Sequence, residues 1–590
     1  MQDLSTPGCP PVAPRQSGSV NWTVPVLVGL TAFAFLLRLH GIDARSLSHP
    51  EVYVPGIELV PGHSVPEPRL TLSDMLWMHY HDEPHPIGWY LAMFGWVKLF
   101  GTGELALRLP SAFLGAASVP VIFLLGRRVW GPAVGLAAAI LLSLHGFHLL
   151  WSQQARMYVA GGVLSILATW LLIRLATDRT AGRGVAAAYI ATLVAGVGTE
   201  ELFWPLIGIH VLWAVLLPRD SLVSRAGLFA AAHRIVGLQT VAIILAAPEL
   251  LHGVYRARRG AVEPVALDWL REYVSFGFLF RSSDGAAGPL NIGAGAGLLL
   301  FTLAVILLLL ALSTPGRGAR VVAPASALPV WPVVLLAVLS FGFMIWLASI
   351  ALHRNWALYV VATGPILALA LPRLAAAIDG AATRFGAFDA WRRRADAPVV
   401  LIWLLGLGAP LVLYAAAPVM SLLADRAFLA FVPYLLLLLV SPIARLPQRG
   451  ALRPVALALV LLLGAASVPY SWRMPGSPRD YKGLVTQMAP LMQAGDLVLV
   501  LDKRWEEAPL FYYLPNARYV FTDYAGALRK DPTARVWLVT WTSPFVPVVN
   551  DARRAAVAGY TADAHVTALR ASAELFLPPD PGQARPLSVP

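Results

Sequence analysis

Acidic side chains stand at both ends of one polar segment, residues 39–86. It begins within RLHGIDARSLSHPEVY (38–53), which contains Glu51, and ends with HYHDEPHP (79–86), which contains a second acidic cluster. Carboxylates close to lipid are costly and tend to be functional. Two acids that a loop can fold together suit proton abstraction from a hydroxyl, one as the base and the other as its orienter or as a metal ligand. Solvated loop charges are the alternative interpretation.

The second cluster consists of His81, Asp82, Glu83 and His85. Such a set could hold a divalent cation, with Asp82 and His85 as the candidate ligands. The spacing matches no specific zinc signature. Carboxylate-rich sites favour Mg or Mn, which are therefore the ions to consider.

Arginines at the ends of apolar runs are candidates for phosphate binding. Arg156 follows such a run in HGFHLLWSQQARMY (145–158), and Arg354 and Arg426 occupy equivalent boundaries. A guanidinium suits bidentate capture of phosphate, although interfacial arginines are common without any ligand. Glu200, in GTEELF, lies at another boundary. It could contact a sugar or an acceptor, or belong to a plain polar turn.

Composition places these residues in a membrane protein. Of 590 residues, 57% are hydrophobic and 13% charged, against roughly 25% charged in soluble domains. The net charge of +12 indicates cytoplasmic anchoring by arginine rather than nucleic-acid binding. The single cysteine, Cys9, excludes a disulfide within the chain and a cysteine-based zinc site.

Thirteen apolar runs predict membrane-spanning helices. They lie near residues 22–38, 109–126, 132–150, 157–174, 185–199, 202–217, 235–251, 294–312, 328–351, 355–371, 398–420, 427–442 and 451–469. The shorter run 87–101 is rich in Trp and Tyr and predicts a helix lying on the membrane surface. With this count every inner loop is basic, as the positive-inside rule requires. The tail 1–21 is then cytoplasmic, whereas the loops 39–86 and 252–293 face outward.

The last part of the chain, residues 471–590, differs from the rest in its pattern of apolar and polar residues. By the same count of membrane spans, it is also predicted to lie outside the membrane. GDLVLVLD (495–502), RYVFTD and RVWLVTW (535–541) indicate strands, and WEEAPLFYYL (505–514) indicates a helix. Strands that alternate with helices predict a small α/β domain. The predicted fold is thus an all-α polytopic domain over 22–470 with a small extracytoplasmic α/β domain.

Four motifs, in order, resemble those of C-type (GT-C) glycosyltransferases that use lipid-linked sugars. RSLSHPEVY is similar to their SLW-DE-Y segment, and SQQARMY to their SQEARMY. HPIGWYLAMFGWVKLFG, followed by ALRLPSAFLGAASVPVIFLLGRRVWG, resembles their HPPLYYLLLHLW and ALRLPSALFG stretch. DYKGLVTQMAPLMQAGDLVLV resembles the start of their outer C-terminal domain. The resemblance covers residues 38–175 and 478–514 and points to protein O-mannosyltransferase-like enzymes and lipid A aminoarabinose transferases of bacteria.

The resemblance implies an inverting transfer from a polyprenyl-phosphate monosugar. An acid of the first loop would be the base, and arginines would hold the leaving phosphate. Two departures matter: Pro50 replaces the Asp that is the usual base, and Gln154 replaces a Glu. The base is then Glu51, or else Asp82 or Glu83.

The same resemblance assigns the remaining candidate residues. Those predicted to bind the donor phosphate are Arg156, Tyr158, Arg426 and Arg354, with Arg426 favoured over Arg354 for a late motif of the family. Those predicted to contact substrate are Arg45, His49, Tyr53, His81, His85 and Glu200.

The predicted function is transfer of a monosaccharide to a lipid, glycan or protein acceptor at the outer face of a bacterial cytoplasmic membrane. No nucleotide-binding loop is present in the sequence. A lipid or sugar transporter or flippase is the alternative, but it predicts charges in mid-span, whereas the charges here cluster at span ends. A non-catalytic assembly or sensor protein gives no reason for a loop with acids at both ends.

Overall fold

A computed structural model gives the structure of most of the chain. It describes residues 22–52, 71–73, 75–76, 85–178, 181–216, 235–246, 249, 267–280, 294–312, 314–315, 396–416, 425–472, 479–501, 504–541 and 551–579. The predicted spans 328–351 and 355–371 lie outside these residues, as does the tail 1–21, which is predicted to be cytoplasmic. So do Tyr53, His81, Asp82, Glu83 and Arg354 among the predicted site residues.

The part of the chain before residue 473 is helical wherever it forms regular structure in the described residues. Up to residue 216 its helices are α1 (Thr23–Leu39), α2 (His49–Val52), α3 (Ile87–Phe100), α4 (Glu104–Val129), α5 (Pro132–Leu144), α6 (Gly146–Ser152), α7 (Tyr158–Thr177), α8 (Arg183–Val197) and α9 (Phe203–Leu216). After it come α10 (Ile235–Ala246), α11 (Leu267–Val274), α12 (Ala294–Leu312), α13 (Ala397–Trp403), α14 (Ala409–Ala416), α15 (Val432–Val440) and α16 (Leu452–Trp472).

Within the described residues, four helical segments are long and apolar enough to cross a membrane, and a fifth counts if α5 and α6 form one span. These four are α4, α7, α16 and the continuous helix from α13 to α14, which contains a π turn at Leu404–Gly408. The predicted run 132–150 is in fact two helices bent by 58°. The break lies at His145, whose ring accepts a hydrogen bond from the backbone N–H of His148 and thereby caps α6. The other described apolar helices are shorter, so the count of thirteen spans stays a prediction.

The C-terminal part contains a small mixed sheet of five strands. Its helices are α17 (Tyr481–Met488), α18 (Arg504–Tyr513), α19 (Tyr524–Lys530) and α20 (Asp551–Ala556), and its strands are β1 (Leu497–Leu499), β2 (Arg518–Val520), β3 (Val536–Trp541), β4 (Thr561–Ala568) and β5 (Ala571–Leu577). The strand order is β2-β1-β3-β5-β4, in which β1 pairs in parallel with β2 and β3, while β5 is antiparallel to both its neighbours. The three predicted strands are present, and two more follow them.

The C-terminal part docks on the segment that precedes and includes α2. Lys482 Nζ donates to the carbonyl of Asp43 at 2.7 Å and pairs with Glu104 Oε2 at 2.5 Å. The Tyr513 hydroxyl donates to the other oxygen of Glu104 and accepts from the backbone N–H of Leu47 at 2.7 Å. Residues 43–52 are therefore held between the start of α4 and the C-terminal sheet domain.

Candidate functional site

Glu51 lies on α2 and is 1% exposed. Its carboxylate pairs with Arg108, from Nε at 2.8 Å and from an Nη at 3.1 Å. It also accepts from the backbone N–H and hydroxyl of Ser48 and from the N–H of Ala155 at 2.9 Å. Burial raises the pKa of Glu51, but the pairing with Arg108 and these hydrogen bonds outweigh it and hold the pKa at about 2. Both oxygens are thus occupied by protein donors.

Arg108, on the first turns of α4, also organises the backbone before α2. It is 2% exposed. Beyond Glu51, it donates to the carbonyls of Ile42, Arg45 and Ser46 at 2.8 to 3.0 Å. Sequence reasoning missed this residue, although an arginine inside an apolar helix is itself a signal of a specific partner. The ion pair fixes the loop to the membrane part of the molecule.

Arg45, predicted to contact substrate, bonds within the protein. An Nη donates to the side-chain oxygen of Gln153. The amide of Gln153 in turn donates to the carbonyls of Arg38 and His40, at 3.1 and 2.8 Å. The described geometry therefore gives Arg45 a role in joining the loop to the turn after α6, and its contact with substrate stays a prediction.

The predicted phosphate-binding residues Arg156, Tyr158 and Arg426 come together. The guanidinium carbons of both arginines lie 5.6 Å from the centroid of the Tyr158 ring. Arg156 is 5% exposed and donates to the Pro50 carbonyl at 3.2 Å and to the hydroxyls of Tyr90 and Tyr158 at 3.4 Å. Residues from α2, α3, α7 and the segment before α15 thus converge at one end of α7.

His49 shows that this region is electropositive. Burial, followed by the charges of Arg156, Arg479 and Arg426, lowers its pKa to about 3. The imidazole is therefore neutral at physiological pH and adds no charge of its own. Arg479, just before α17, was not anticipated from the sequence. Its guanidinium stacks on Trp541 of the sheet domain, 3.6 Å from the ring centroid.

Glu200 and Glu201 lie in the turn between α8 and α9. Glu201 pairs with His85 Nδ1 at 2.9 Å, whereas Glu200 is 6% exposed. Burial, and next the neighbouring charge of Glu201, raise the pKa of Glu200 well above its usual range, although Arg426 and Arg156 act in the opposite direction. The structure thus brings the predicted residues His85 and Glu200 to one turn, through Glu201.

A metal site is not formed by the described residues, in which no group of three or more His, Cys, Asp or Glu side chains could hold an ion. His85, one candidate ligand, pairs with Glu201. Asp82, the other, lies outside the described residues. A divalent cation at this end of the first loop stays a prediction.

Residues 82–252 match the family model described as dolichyl-phosphate-mannose-protein mannosyltransferase. That segment includes Arg156, Tyr158 and Glu200, and it extends from the second acidic cluster past α10. No curated protein matches the chain. The resemblance stated from the sequence motifs is thereby confirmed: the chain resembles C-type glycosyltransferases that depend on polyprenyl-phosphate sugars.

Solved structures show a weaker similarity over nearly the whole chain. ArnT from Cupriavidus metallidurans in the apo state aligns over 94% of this chain and 98% of its own, at 14% identity and a TM-score of 0.42. The same protein bound to undecaprenyl phosphate gives a TM-score of 0.39 with the same identity and coverage. AglB from Archaeoglobus fulgidus aligns over 88% of this chain and 69% of its own, at 11% identity and a TM-score of 0.41. Similarities this low transfer no residue's role.

Proposed function

We propose that this protein is an inverting glycosyltransferase. It moves a monosaccharide from a polyprenyl-phosphate donor to a lipid, glycan or protein acceptor on the outer face of a bacterial cytoplasmic membrane. The observation that carries the proposal is the convergence of Arg156 and Arg426 on the ring of Tyr158, beside a neutral His49.

The position of the cluster formed by Arg156, Arg426, Tyr158 and His49, called the pocket below, suits a lipid phosphate. Tyr158 is the first residue of α7, a helix long and apolar enough to span the membrane, so the pocket lies at one end of a candidate span. A polyprenyl chain can remain in the lipid while its phosphate reaches the two guanidinium groups. When the bond from the sugar C1 to the phosphate breaks, the phosphate gains negative charge. Cations that are already in place stabilise that charge without reorganisation.

We infer that Glu51 positions the site and that Asp82 or Glu83 takes the acceptor's proton. A general base needs an oxygen that can reach the acceptor hydroxyl. Both oxygens of Glu51 already accept hydrogen bonds from Arg108, and from Ser48 or Ala155. Its low pKa also makes it a weak base. Of the residues predicted to contact substrate, we propose that His49, His85 and Glu200 contact the sugar or the acceptor, because the charges of Arg156 and Arg426 act on His49 and Glu200 and His85 pairs with the neighbouring Glu201.

Transfer from a labelled polyprenyl-phosphate sugar by the purified, lipid-reconstituted protein tests the function. Wild type should release the sugar from its lipid and form a labelled product. Arg156→Ala should lower the single-turnover rate about 10²-fold, as loss of a preorganised charge does elsewhere. Arg554→Ala is a matched control, because Arg554 pairs with Glu574 on the sheet domain, away from the pocket.

Three outcomes would contradict the proposal. Wild type that moves the labelled lipid across the bilayer without releasing sugar would be a transporter. If wild type releases no sugar from any polyprenyl-phosphate donor, the protein lacks the proposed transfer activity. If Arg156→Ala and Arg554→Ala have equal rates, Arg156 does not stabilise the leaving phosphate. A parallel assay with a chelator and added Mg or Mn decides whether the transfer needs a divalent cation.

A further inference from the structure

One face of α7 lies against the segment that carries Arg426. That segment is the 3₁₀ helix Asp425–Ala430, called the Arg426 segment below, and it packs on α7. Tyr158, Ser165 and Thr169 are separated by seven and four residues, so they share one face of a helix with about 3.6 residues per turn. The Arg426 guanidinium lies over the first of these side chains. Its place in the pocket therefore depends on how the Arg426 segment is aligned with α7.

Tyr434 holds that alignment. It belongs to the first turn of α15, which begins one residue after the Arg426 segment ends. Its hydroxyl oxygen lies 2.7 Å from the hydroxyl oxygens of both Ser165 and Thr169. The Ser165 hydroxyl also donates to the carbonyl of Ala430 at 3.3 Å. All these side chains are buried, so two successive turns of α7 are tied to the end of the Arg426 segment and to the start of α15.

The Ala430 carbonyl sets the direction of these hydrogen bonds, because a hydroxyl has a single proton to donate. Ser165 gives its proton to that carbonyl, so it accepts from Tyr434. Tyr434 has then used its own proton and accepts from Thr169. Removal of the middle hydroxyl would leave the buried proton of Thr169 without this acceptor.

Three further buried side chains extend the hydrogen bonds into the helical part. Thr169 accepts from Nε2 of His210 on α9 at 3.1 Å, and Nδ1 of the neutral ring accepts from the hydroxyl of Tyr189 on α8 at 3.1 Å. That hydroxyl accepts from the amide of Gln239 on α10, also at 3.1 Å. Tyr189 thus has a buried hydroxyl in the same chain of hydrogen bonds, three links away from Tyr434.

On the basis of the proposed function, we propose that Tyr434 is a positioning residue for the donor phosphate. Its hydroxyl keeps the Arg426 segment in register with α7, so that the Arg426 guanidinium meets the same Tyr158 ring as Arg156. Tyr434 acts through Arg426 and takes no part in bond making or proton transfer. Two cations that are in place before the donor binds need no rearrangement when the phosphate gains charge.

Tyr434→Phe tests the proposal, because it removes the hydroxyl and keeps the ring. Binding of undecaprenyl phosphate to the purified, lipid-reconstituted protein should weaken by about three- to tenfold, the net size of one neutral hydrogen bond. Single-turnover transfer should slow as well. Tyr189→Phe is the matched control, because it removes an equally buried hydroxyl from the same chain of hydrogen bonds. It should lower thermal stability to a similar extent and bind undecaprenyl phosphate as wild type does.

A double variant distinguishes positioning from a general loosening of the fold. Arg426→Ala should weaken binding of undecaprenyl phosphate by itself. If Tyr434 acts through Arg426, adding Tyr434→Phe to Arg426→Ala should weaken binding no further, because no guanidinium is left to misplace. Two independent effects would instead add.

Ser165→Ala keeps the test open if Tyr434→Phe does not fold. It removes the donor to the Ala430 carbonyl and the acceptor of Tyr434. Alanine is the best helix former, so α7 itself should tolerate the change. Affinity for undecaprenyl phosphate should fall as it does in Tyr434→Phe.

Each result has a definite meaning. If Tyr434→Phe and Ser165→Ala bind undecaprenyl phosphate like wild type, or if the effects of Tyr434→Phe and Arg426→Ala add, the positioning role is wrong while the proposed function stands. If the variants behave as expected in binding but wild type transfers no sugar, the proposed function fails and the positioning of Arg426 for a lipid phosphate stands. If wild type does not bind undecaprenyl phosphate, both fail.

Discussion

The Glu51 carboxylate is surrounded by donors supplied by three separate parts of the chain. Arg108 comes from α4, Ala155 from the turn after α6, and Ser48 from the loop itself. A buried charge of this kind is stable only while its partners stay in place, and removal of one member of a buried pair costs about 3 to 5 kcal/mol. Glu51 therefore ties the first loop to the pocket, whose Arg156 contacts the neighbouring Pro50 carbonyl.

Glu51→Gln should destabilise the protein at pH 7 by about 3 kcal/mol, as measured by denaturant unfolding in detergent. The folded pKa of Glu51 is about 2, below its ordinary value of 4.5. Its carboxylate thus contributes stability above pH 4.5, and that contribution is lost as pH falls toward 2. The gap between wild type and Glu51→Gln should narrow over the same range.

The matched control for that measurement is Glu574→Gln. Glu574 pairs with Arg554, whose side chain is 57% exposed, and exposed pairs contribute less than about 1 kcal/mol. Equal stability of Glu51→Gln and wild type at pH 7 would mean that the Glu51–Arg108 pair does not hold the loop.

Individual elements could be predicted from the sequence where a single pattern decides them. The helices α1, α4, α7 and α16 lie on predicted apolar runs, and β1 and β3 on the predicted strand segments. The two missed strands, β4 (TADAHVTA) and β5 (ASAELFL), are rich in alanine and polar residues. β4 is an edge strand with one largely exposed face, so its sequence lacks the continuous apolar character of a buried strand.

The sequence predicted which residue types belong to the candidate site. It did not predict which of these residues contact one another in the fold. Arg156 and Arg426 are 270 positions apart, and only the tertiary fold brings them to one tyrosine ring. Glu51 carries the charge that a base needs, and no local pattern reveals that Arg108, 57 residues later, occupies it. Contacts between distant segments are not encoded in periodicity or in motif spacing.

The turn that carries Glu200 depends on a close approach between α3 and the end of α8. The N–H of Gly88 donates to the Gly198 carbonyl at 2.5 Å, and a Cβ at Gly88 would collide with that oxygen. Gly88→Ala should therefore destabilise the protein by about 1 to 3 kcal/mol, the usual range for overpacking. Hydrogen exchange should rise in residues 198–202.

Gly95→Ala provides the comparison for that variant. Gly95 lies on the same helix, α3, and a Cβ there would have nothing within 4 Å. Alanine is the better helix former, so this variant should be as stable as wild type or slightly more so. If both glycine variants lost stability equally, the loss at Gly88 would not come from its contact with Gly198.

At the scale of the whole molecule, the helical part and the C-terminal part meet at the loop that contains residues 43–52, next to the pocket. The sheet domain contacts residues 43–47 from one side, and α4 holds the same backbone from the other through Arg108. Arg479, stacked on Trp541 of the sheet domain, contributes to the positive charge around His49. The C-terminal part thus contributes residues to the surroundings of the pocket.

Glu104 is the residue on which this docking should depend most. It accepts hydrogen bonds from Lys482 and from Tyr513, and its side chain is 13% exposed. Glu104→Ala removes the shared acceptor of both, so hydrogen exchange should increase in residues 42–52 and in α17 and α18, while α7 stays protected. Transfer should slow as well, because the freed loop carries the Pro50 carbonyl that holds Arg156.

Asp531→Ala is the control, because it removes only the exposed pair with Arg518 inside the sheet domain. It should leave hydrogen exchange unchanged in both regions. If Glu104→Ala exchanged like wild type in residues 42–52, the loop would be held by α4 alone, and the C-terminal part would have no share in shaping the pocket.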